Sequence, residues 1–333
     1  MINIYLSTHA YCNMHIRIYI YIYIYTHRQG LVRNAVDVEG YMVAVERLKF
    51  YSNVEMEGIE KGKENTLIKP AQTWPSKGVI EFKNVTMRYR PELPLVLKGM
   101  SLSISTNEKV GICGRTGAGK SSIMVSLLRL VDIENGTISI DGMDTSKMSL
   151  GHLRTAVAII PQDPVLFSGT VRFNLDPFDQ YTDDDVWQVL KDVQMVDRVN
   201  GNGANANGLE TIVAESGSNF SVGESQLLCI ARALLRKTKI VLLDEATASC
   251  DGRTDNIIQD VMKTKFEHAT VLTIAHRLET IIFYDKIAVI SKGKIVEFAS
   301  PKDLLLDETS DFSKLIDEMG VEGKKRMMEM VGL

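Results

Sequence analysis

The chain has 333 residues, 45% of them hydrophobic and 24% charged, the balance of an ordinary soluble globular protein with room for one to two domains. A formal net charge of -4 and a sequence pI near 5.9 exclude the basic field that a nucleic-acid binder needs. The four cysteines, Cys12, Cys113, Cys229 and Cys250, form no CxxC pair and no metal-ligand spacing with histidine. Three of them lie in apolar runs and read as small core residues in a reduced, cytosolic setting.

Residues 1–30 do not read as a folded element. The run IRIYIYIYIYT is low-complexity Tyr/Ile alternation: an unstructured tail, an aggregation-prone strand or an artefact of the gene model. Its apolar part, Ile16 to Tyr25, is about half the length that spans a bilayer, and no small-residue cleavage site follows it. The chain as written is therefore expected to hold no transmembrane helix. From Leu31 the pattern turns helical, with Ala35, Met42, Val45 and Leu48 recurring at helical spacing up to Tyr51. A polar linker with Pro70 and Pro75 leads to a compact domain beginning near Gly78.

Within that domain the predicted strands are Val79–Tyr89, Lys109–Cys113, Thr137–Ile140, Val157–Ile160, Lys239–Leu243, Thr270–Ile274 and Lys286–Ile290. Helical patterns occupy Lys120–Leu130, Asp183–Val199, Val222–Arg236 and Arg253–Phe266. Apolar strands alternating with helices argue for a parallel α/β core, with a smaller antiparallel sheet contributed by the early strands.

Gly114-Arg115-Thr116-Gly117-Ala118-Gly119-Lys120-Ser121 matches GxxxxGK[ST] between an apolar strand and a helix, and Ser122 follows it. Glycines let backbone N–H groups wrap phosphates, and the helix N-terminus adds its dipole. Lys120 is placed to reach the β- and γ-phosphates, and Ser121 to offer its hydroxyl to Mg²⁺. Downstream, the apolar strand Ile240-Val-Leu-Leu ends in Asp244 and Glu245. After a P-loop, these read as a carboxylate for the Mg²⁺ shell and a carboxylate that polarises the attacking water.

Phe220-Ser221-Val222-Gly223-Glu224-Ser225 opens a further helix. With this element the set resembles the nucleotide-binding domain of ABC transporters, whose signature motif, usually LSGGQ, caps the ATP bound by a partner domain. The resemblance implies roles for other residues in order. Tyr89 matches the A-loop aromatic that stacks on adenine, and Gln162 matches the Q-loop residue that approaches Mg²⁺. Asp251 matches the D-loop, and His276 the switch histidine at the γ-phosphate. Gln162–Pro177 and Ala231–Ile240 look like the second nucleotide-binding domain of multidrug-resistance-associated (subfamily C) exporters.

The fold implied is an ABC-type P-loop NTPase: a RecA-like parallel sheet core, an antiparallel β subdomain and a helical subdomain carrying the signature. The domains expected are the tail 1–30, the cytoplasmic end of a last transmembrane helix over 31–55, a linker 56–77, the ABC domain 78–320 and a polar tail 321–333. The function implied is Mg-ATP hydrolysis by Lys120, Glu245 and His276, with Ser121, Gln162 and Asp244 at the metal. The partners implied are a second nucleotide-binding domain and the transmembrane domains of an exporter, on the cytoplasmic side of a membrane. The alternative is an ATP-gated regulatory domain of a channel or receptor, which a retained Glu245 and His276 argue against. Two departures stand out: Val222 replaces a glycine, and Glu224 stands where glutamine is usual. Glu224 can complete a capping box as glutamine does, or its charge can weaken the partner's ATP site.

Overall fold

A computed structural model describes residues 2–54, 57, 67–201, 207–244, 251–275 and 277–332, with the backbone alone over 2–13. The chain divides into two units, Met1–Glu64 and Asn65–Leu333.

Among its described residues the first unit is one helix, α1 (Ile2–Ser52). It differs from the expectation for residues 1–30, which placed no folded element there. A strand needs a neighbour to take its N–H and C=O groups, whereas a helix satisfies them within the segment. No strand is paired with this segment among the described residues, so the helix continues through the Tyr/Ile run and the predicted helical stretch alike. From Met14 on its side chains, including Ile16, Tyr19, Leu31 and Tyr51, are exposed. No helix among the described residues is long and apolar enough to cross a membrane.

The second unit begins with β1 (Ile80–Met87), β2 (Leu97–Ile104), β3 (Lys109–Cys113), α2 (Lys120–Leu127), β4 (Asn135–Ile140) and β5 (Met143–Asp144). Then come α3 (Leu150–Thr155), β6 (Val157–Ile160), β7 (Gly169–Thr170), α4 (Val171–Leu175), α5 (Asp183–Asp192), α6 (Val196–Asn200), β8 (Ile212–Val213) and α7 (Val222–Leu235). It closes with β9 (Ile240–Asp244), α8 (Gly252–Thr264), β10 (Thr270–Ile274), β11 (Lys286–Ser291), β12 (Lys294–Ala299), α9 (Pro301–Leu306), α10 (Asp311–Asp317) and α11 (Gly320–Met330).

Two sheets carry the unit. A six-stranded sheet has the order β12-β11-β3-β10-β9-β6, and a four-stranded antiparallel sheet has the order β2-β1-β4-β5. In the larger sheet every pairing is parallel except β11 with β12. Its parallel strands read as largely apolar runs because both faces are covered, whereas the antiparallel edge strand β12 mixes polar and apolar residues. In β9, Ile240 and Leu242 join the core shared with the four-stranded sheet, while Val241 and Leu243 join the core under the helices. Period-two alternation thus divides one strand between two cores.

Several boundaries depart from the sequence reading. The single helix expected over Asp183–Val199 is broken into α5 and α6 at Gln194, whose φ is +56°. The turn sends Val193 and Met195, on either side of it, into the core. The end of the expected linker is tied down: Asp141 accepts from the backbone N–H of Ser76, Lys77 and Val79, and Ile68 N donates to Lys147 O.

The expected polar tail is also folded. Met327 of α11 is 0% exposed and Met330 packs beside it on the helical core. Composition favours a tail, but one apolar face of a short helix is enough to dock it. Met327→Ala is therefore expected to destabilise the unit by about 2–3 kcal/mol, in the lower part of the range for a buried methionine. Urea unfolding checks this; a change under about 0.5 kcal/mol, typical of a surface site, contradicts the docking.

Candidate functional site

The P-loop turns between β3 and α2, backed by the hairpin of β11 and β12. Gly114 has φ +145°, and a Cβ on it would stand 2.2 Å from Ile290 O, so no other residue fits without moving β11. Gly293 N, in the hairpin turn, donates to Ala118 O at 3.0 Å. Lys120 is 6% exposed, and its Nζ donates to Gly114 O at 2.8 Å and to Arg115 O at 3.4 Å. The ammonium is thereby held inside the curl of the loop, at the N-terminus of α2. Cys113, just before the loop, is a neutral core thiol: burial pushes its pKa up to about 12. Cys229 is buried and free as well, and burial raises it likewise. Cys250 lies outside the described residues, as does the side chain of Cys12.

Tyr89 joins this site through its phenol: Tyr89 Oη and Ser122 Oγ share a hydrogen bond of 2.9 Å. The ring is half-exposed beside the P-loop helix.

Strand register brings the other motifs to the same edge. Ile274 pairs with Ile112 on one side and with Asp244 on the other, and Ile160 pairs with Leu243. The carboxyl ends of β3, β10, β9 and β6 therefore lie in one row, presenting Gly114, Ala275, Asp244 and Pro161-Gln162. In open parallel sheets this edge is where ligands bind. Gln162 is exposed, and the turn before it is pinned by Gln226 of α7, whose buried Nε2 donates to Pro161 O at 3.1 Å. Glu245 and His276, which directly follow Asp244 and Ala275, lie outside the described residues.

The donors assigned to Mg²⁺ are the Ser121 hydroxyl, the Gln162 amide oxygen and the Asp244 carboxylate. All are hard oxygens, which suits Mg²⁺, and a single carboxylate is usual where phosphates supply further ligands. Among the described residues no cluster of three or more His, Cys, Asp or Glu could hold an ion by itself. The donor set thus fits a metal shared with phosphate.

At the signature, Ser221 is the N-cap of α7 and both halves of a capping box are formed. Ser221 Oγ accepts from Glu224 N at 3.1 Å, and Glu224 Oε2 accepts from Ser221 N at 2.8 Å. Val222 is 50% exposed, so its side chain costs the helix start no packing. Gly223 has a different constraint: a Cβ there would meet Thr254 Cγ2 at 2.8 Å. Thr254 belongs to α8, whose N-cap is Asp251. Asp251 accepts from the Thr254 hydroxyl at 2.6 Å and from the N–H groups of Arg253 and Thr254. The Thr254 hydroxyl, with these N–H groups, holds the Asp251 carboxyl below the usual carboxylate range. Signature and D-loop are thus packed together through a glycine and a threonine.

Sequence reasoning missed Arg198, Gln226 and Thr254, none of which lies within a motif. Arg198 meets Glu224, Gln226 meets Pro161 and Thr254 meets Gly223, each far away in sequence, so no local pattern signals these contacts. A further feature beside the P-loop was not legible either. A cleft of about 810 Å³ is lined by Gly114, Arg115 and Thr116 and by Leu315, Glu318 and Met319 of the C-terminal segment. Arg115 and Glu318 form an ion pair across it at 2.9 Å, though both side chains are exposed and such pairs contribute little.

The family model described as "ABC transporter" matches residues 97–248, which contain the P-loop, the Q-loop, the signature and Asp244. Residues 97–248 belong to an ABC transporter nucleotide-binding domain. The chain is similar to "ABC transporter C family member 3" of Dictyostelium discoideum, 49% identical over 286 residues, which are 86% of this chain and 20% of that protein. It is similar to "ATP-binding cassette sub-family C member 2" of Homo sapiens, 47% identical over 292 residues, 88% of this chain and 18% of that protein. The chain thus spans about a fifth of the length of these curated relatives. A solved structure, "Structure of a bacterial Atm1-family ABC exporter with ATP bound", superposes with a TM-score of 0.75 at 31% identity. That match covers 85% of this chain and 48% of the bacterial chain.

Proposed function

We propose that this ABC domain binds Mg-ATP at the carboxyl edge of its parallel sheet and hydrolyses it to drive a subfamily C exporter. The observation that carries the reading is the convergence of the P-loop, Asp244 and the Q-loop in one strand row, with Tyr89 tied to the P-loop helix by Ser122. In this reading Tyr89 stacks on adenine and Gly114 to Ser122 cradle the phosphates with their N–H groups. Lys120 exchanges its loop carbonyls for phosphate oxygens, a charge-assisted contact. Ser121, Gln162 and Asp244 hold the metal, which when bound neutralises phosphate charge and fixes its geometry. Glu245 orients and deprotonates water, and His276 contacts the γ-phosphate.

The partners proposed are a second nucleotide-binding domain, whose ATP is capped by Ser221, Val222, Gly223 and Glu224, and the transmembrane domains of an exporter. Asp251 faces the same partner in this reading. The names of the relatives, and the fraction of their length that this chain spans, support a place on the cytoplasmic side of a membrane as part of a longer assembly.

Single-turnover hydrolysis tests the enzymatic reading. With protein in excess over labelled ATP, the domain is expected to release phosphate in Mg²⁺ and not in EDTA. ATP that binds and dissociates intact, with the second domain supplied, makes the site a gating one instead.

A further inference from the structure

The signature carries an acid where phosphate is to be received, and the fold answers that charge. Both carboxylate oxygens of Glu224 are engaged: Oε2 by Ser221 N at 2.8 Å, and Oε1 by Arg198 Nε at 3.0 Å. Arg198, in α6, is fixed by two further contacts. Its Nη2 donates to Asn219 O at 2.8 Å, and its guanidinium lies 4.6 Å from the centroid of the Phe220 ring. Asn219 is itself built into the loop, its side chain accepting from Ala214 N and donating to Ile212 O. Arg198 is therefore held against the start of α7 from three sides, with about 30% of its side chain exposed.

Charge arithmetic decides what this does. A helix N-terminus presents roughly +0.5 of an elementary charge to an approaching anion. Glu224 alone turns that sum to about -0.5, a repulsive end. Adding Arg198 returns it to about +0.5. The capping box folds the carboxylate back onto the Ser221 N–H, while the N–H groups of Val222 and Gly223 have no intrahelical carbonyl.

We propose that Arg198 is a positioning residue for ATP capture: by neutralising Glu224 it keeps the signature end of α7 receptive to the phosphates of ATP held by a partner P-loop. This rests on the reading of the signature given under Proposed function. It also resolves the two readings of Glu224, because the residue caps the helix and its charge is compensated within the same domain.

Two copies of the chain, each with a P-loop and a signature, can form two such sites, so the test is self-association driven by the non-hydrolysable analogue Mg-AMP-PNP. Four proteins are compared by sedimentation velocity: the parent, Arg198→Met, Glu224→Gln, and the double variant. Methionine keeps much of the aliphatic volume against Phe220 and removes the charge. Arg198→Met is expected to weaken nucleotide-driven association by about two- to fivefold for each site, the span of a helix-end charge. The double variant is expected to return to within about twofold of the parent, because no acid remains to be neutralised. AMP-PNP affinity of the monomer, set by its own P-loop, should not move in any variant.

A merely structural Arg198 gives the same loss whether Glu224 is intact or carries the Glu224→Gln substitution, and that result overturns the proposal, as does no loss at all. A parent that does not associate with nucleotide removes the signature reading itself, and this proposal with it.

Discussion

Mg-ATP binding by Lys120→Ala is expected to be about 100-fold weaker than in the parent, the upper end of the 1.5–3 kcal/mol range for hydrogen bonds to a charged group. The reason is positional. Lys120 Nζ is already inside the P-loop, 2.8 Å from Gly114 O, in a site from which little of the side chain reaches solvent. Phosphate oxygens entering the loop meet an ammonium that needs only to change acceptors, so little ordering cost offsets the contact. Alanine leaves the backbone N–H groups but removes the one side-chain cation at the start of α2. Calorimetric titration gives the affinity, and melting curves run beside it separate loss of binding from loss of fold. Parent-like affinity in a folded Lys120→Ala protein would remove this loop from the site. Tyr89→Ala, measured in the same series, should weaken binding by about 1–3 kcal/mol, the range for a base stacked on an aromatic ring.

The second large effect falls on turnover. Glu245→Gln is expected to keep Mg-ATP binding and lower the single-turnover rate by about 10²–10⁴-fold, the span of a general base. Glutamine keeps the shape and a hydrogen-bond acceptor but cannot take a proton from water. Asp244 closes β9 in the row of strand ends that also presents Gly114 and Gln162, and Glu245 follows it directly in the sequence. The measurement is phosphate release from labelled ATP, with protein in excess and the second domain supplied. Hydrolysis at the parent rate with ATP still bound would take Glu245 out of the base role and favour a gating domain.

The sequence alone was enough for every motif whose chemistry is local. Glycines at fixed intervals before Lys120, an apolar strand ending in Asp244, and Ser221 three residues before Glu224 each encode one turn, strand end or cap. Such features depend on backbone geometry within a few residues, so they survive without knowledge of the fold. Lys109–Cys113, Val157–Ile160 and Thr270–Ile274 were legible as strands at their observed bounds for the same reason: all are continuous apolar runs in a sheet buried on both faces. β2 and β12 were not, because an antiparallel strand with one solvent-facing side mixes polar and apolar residues in short runs.

Only the tertiary structure decided which distant residues complete the site. Strand order placed Asp244 two strands from the P-loop strand, with β10 between them, and nothing in the chain order announces that. It decided that a methionine in a charged tail is core, and that Tyr/Ile alternation closes its hydrogen bonds as a helix. It also decided the charge at the signature. Glu224 by itself reads either as a cap or as a repulsive acid, and Arg198, 26 residues earlier, forms the ion pair that cancels its charge. Capping is a property of four consecutive residues, whereas electrostatic compensation is a property of whatever the fold brings within about 4 Å.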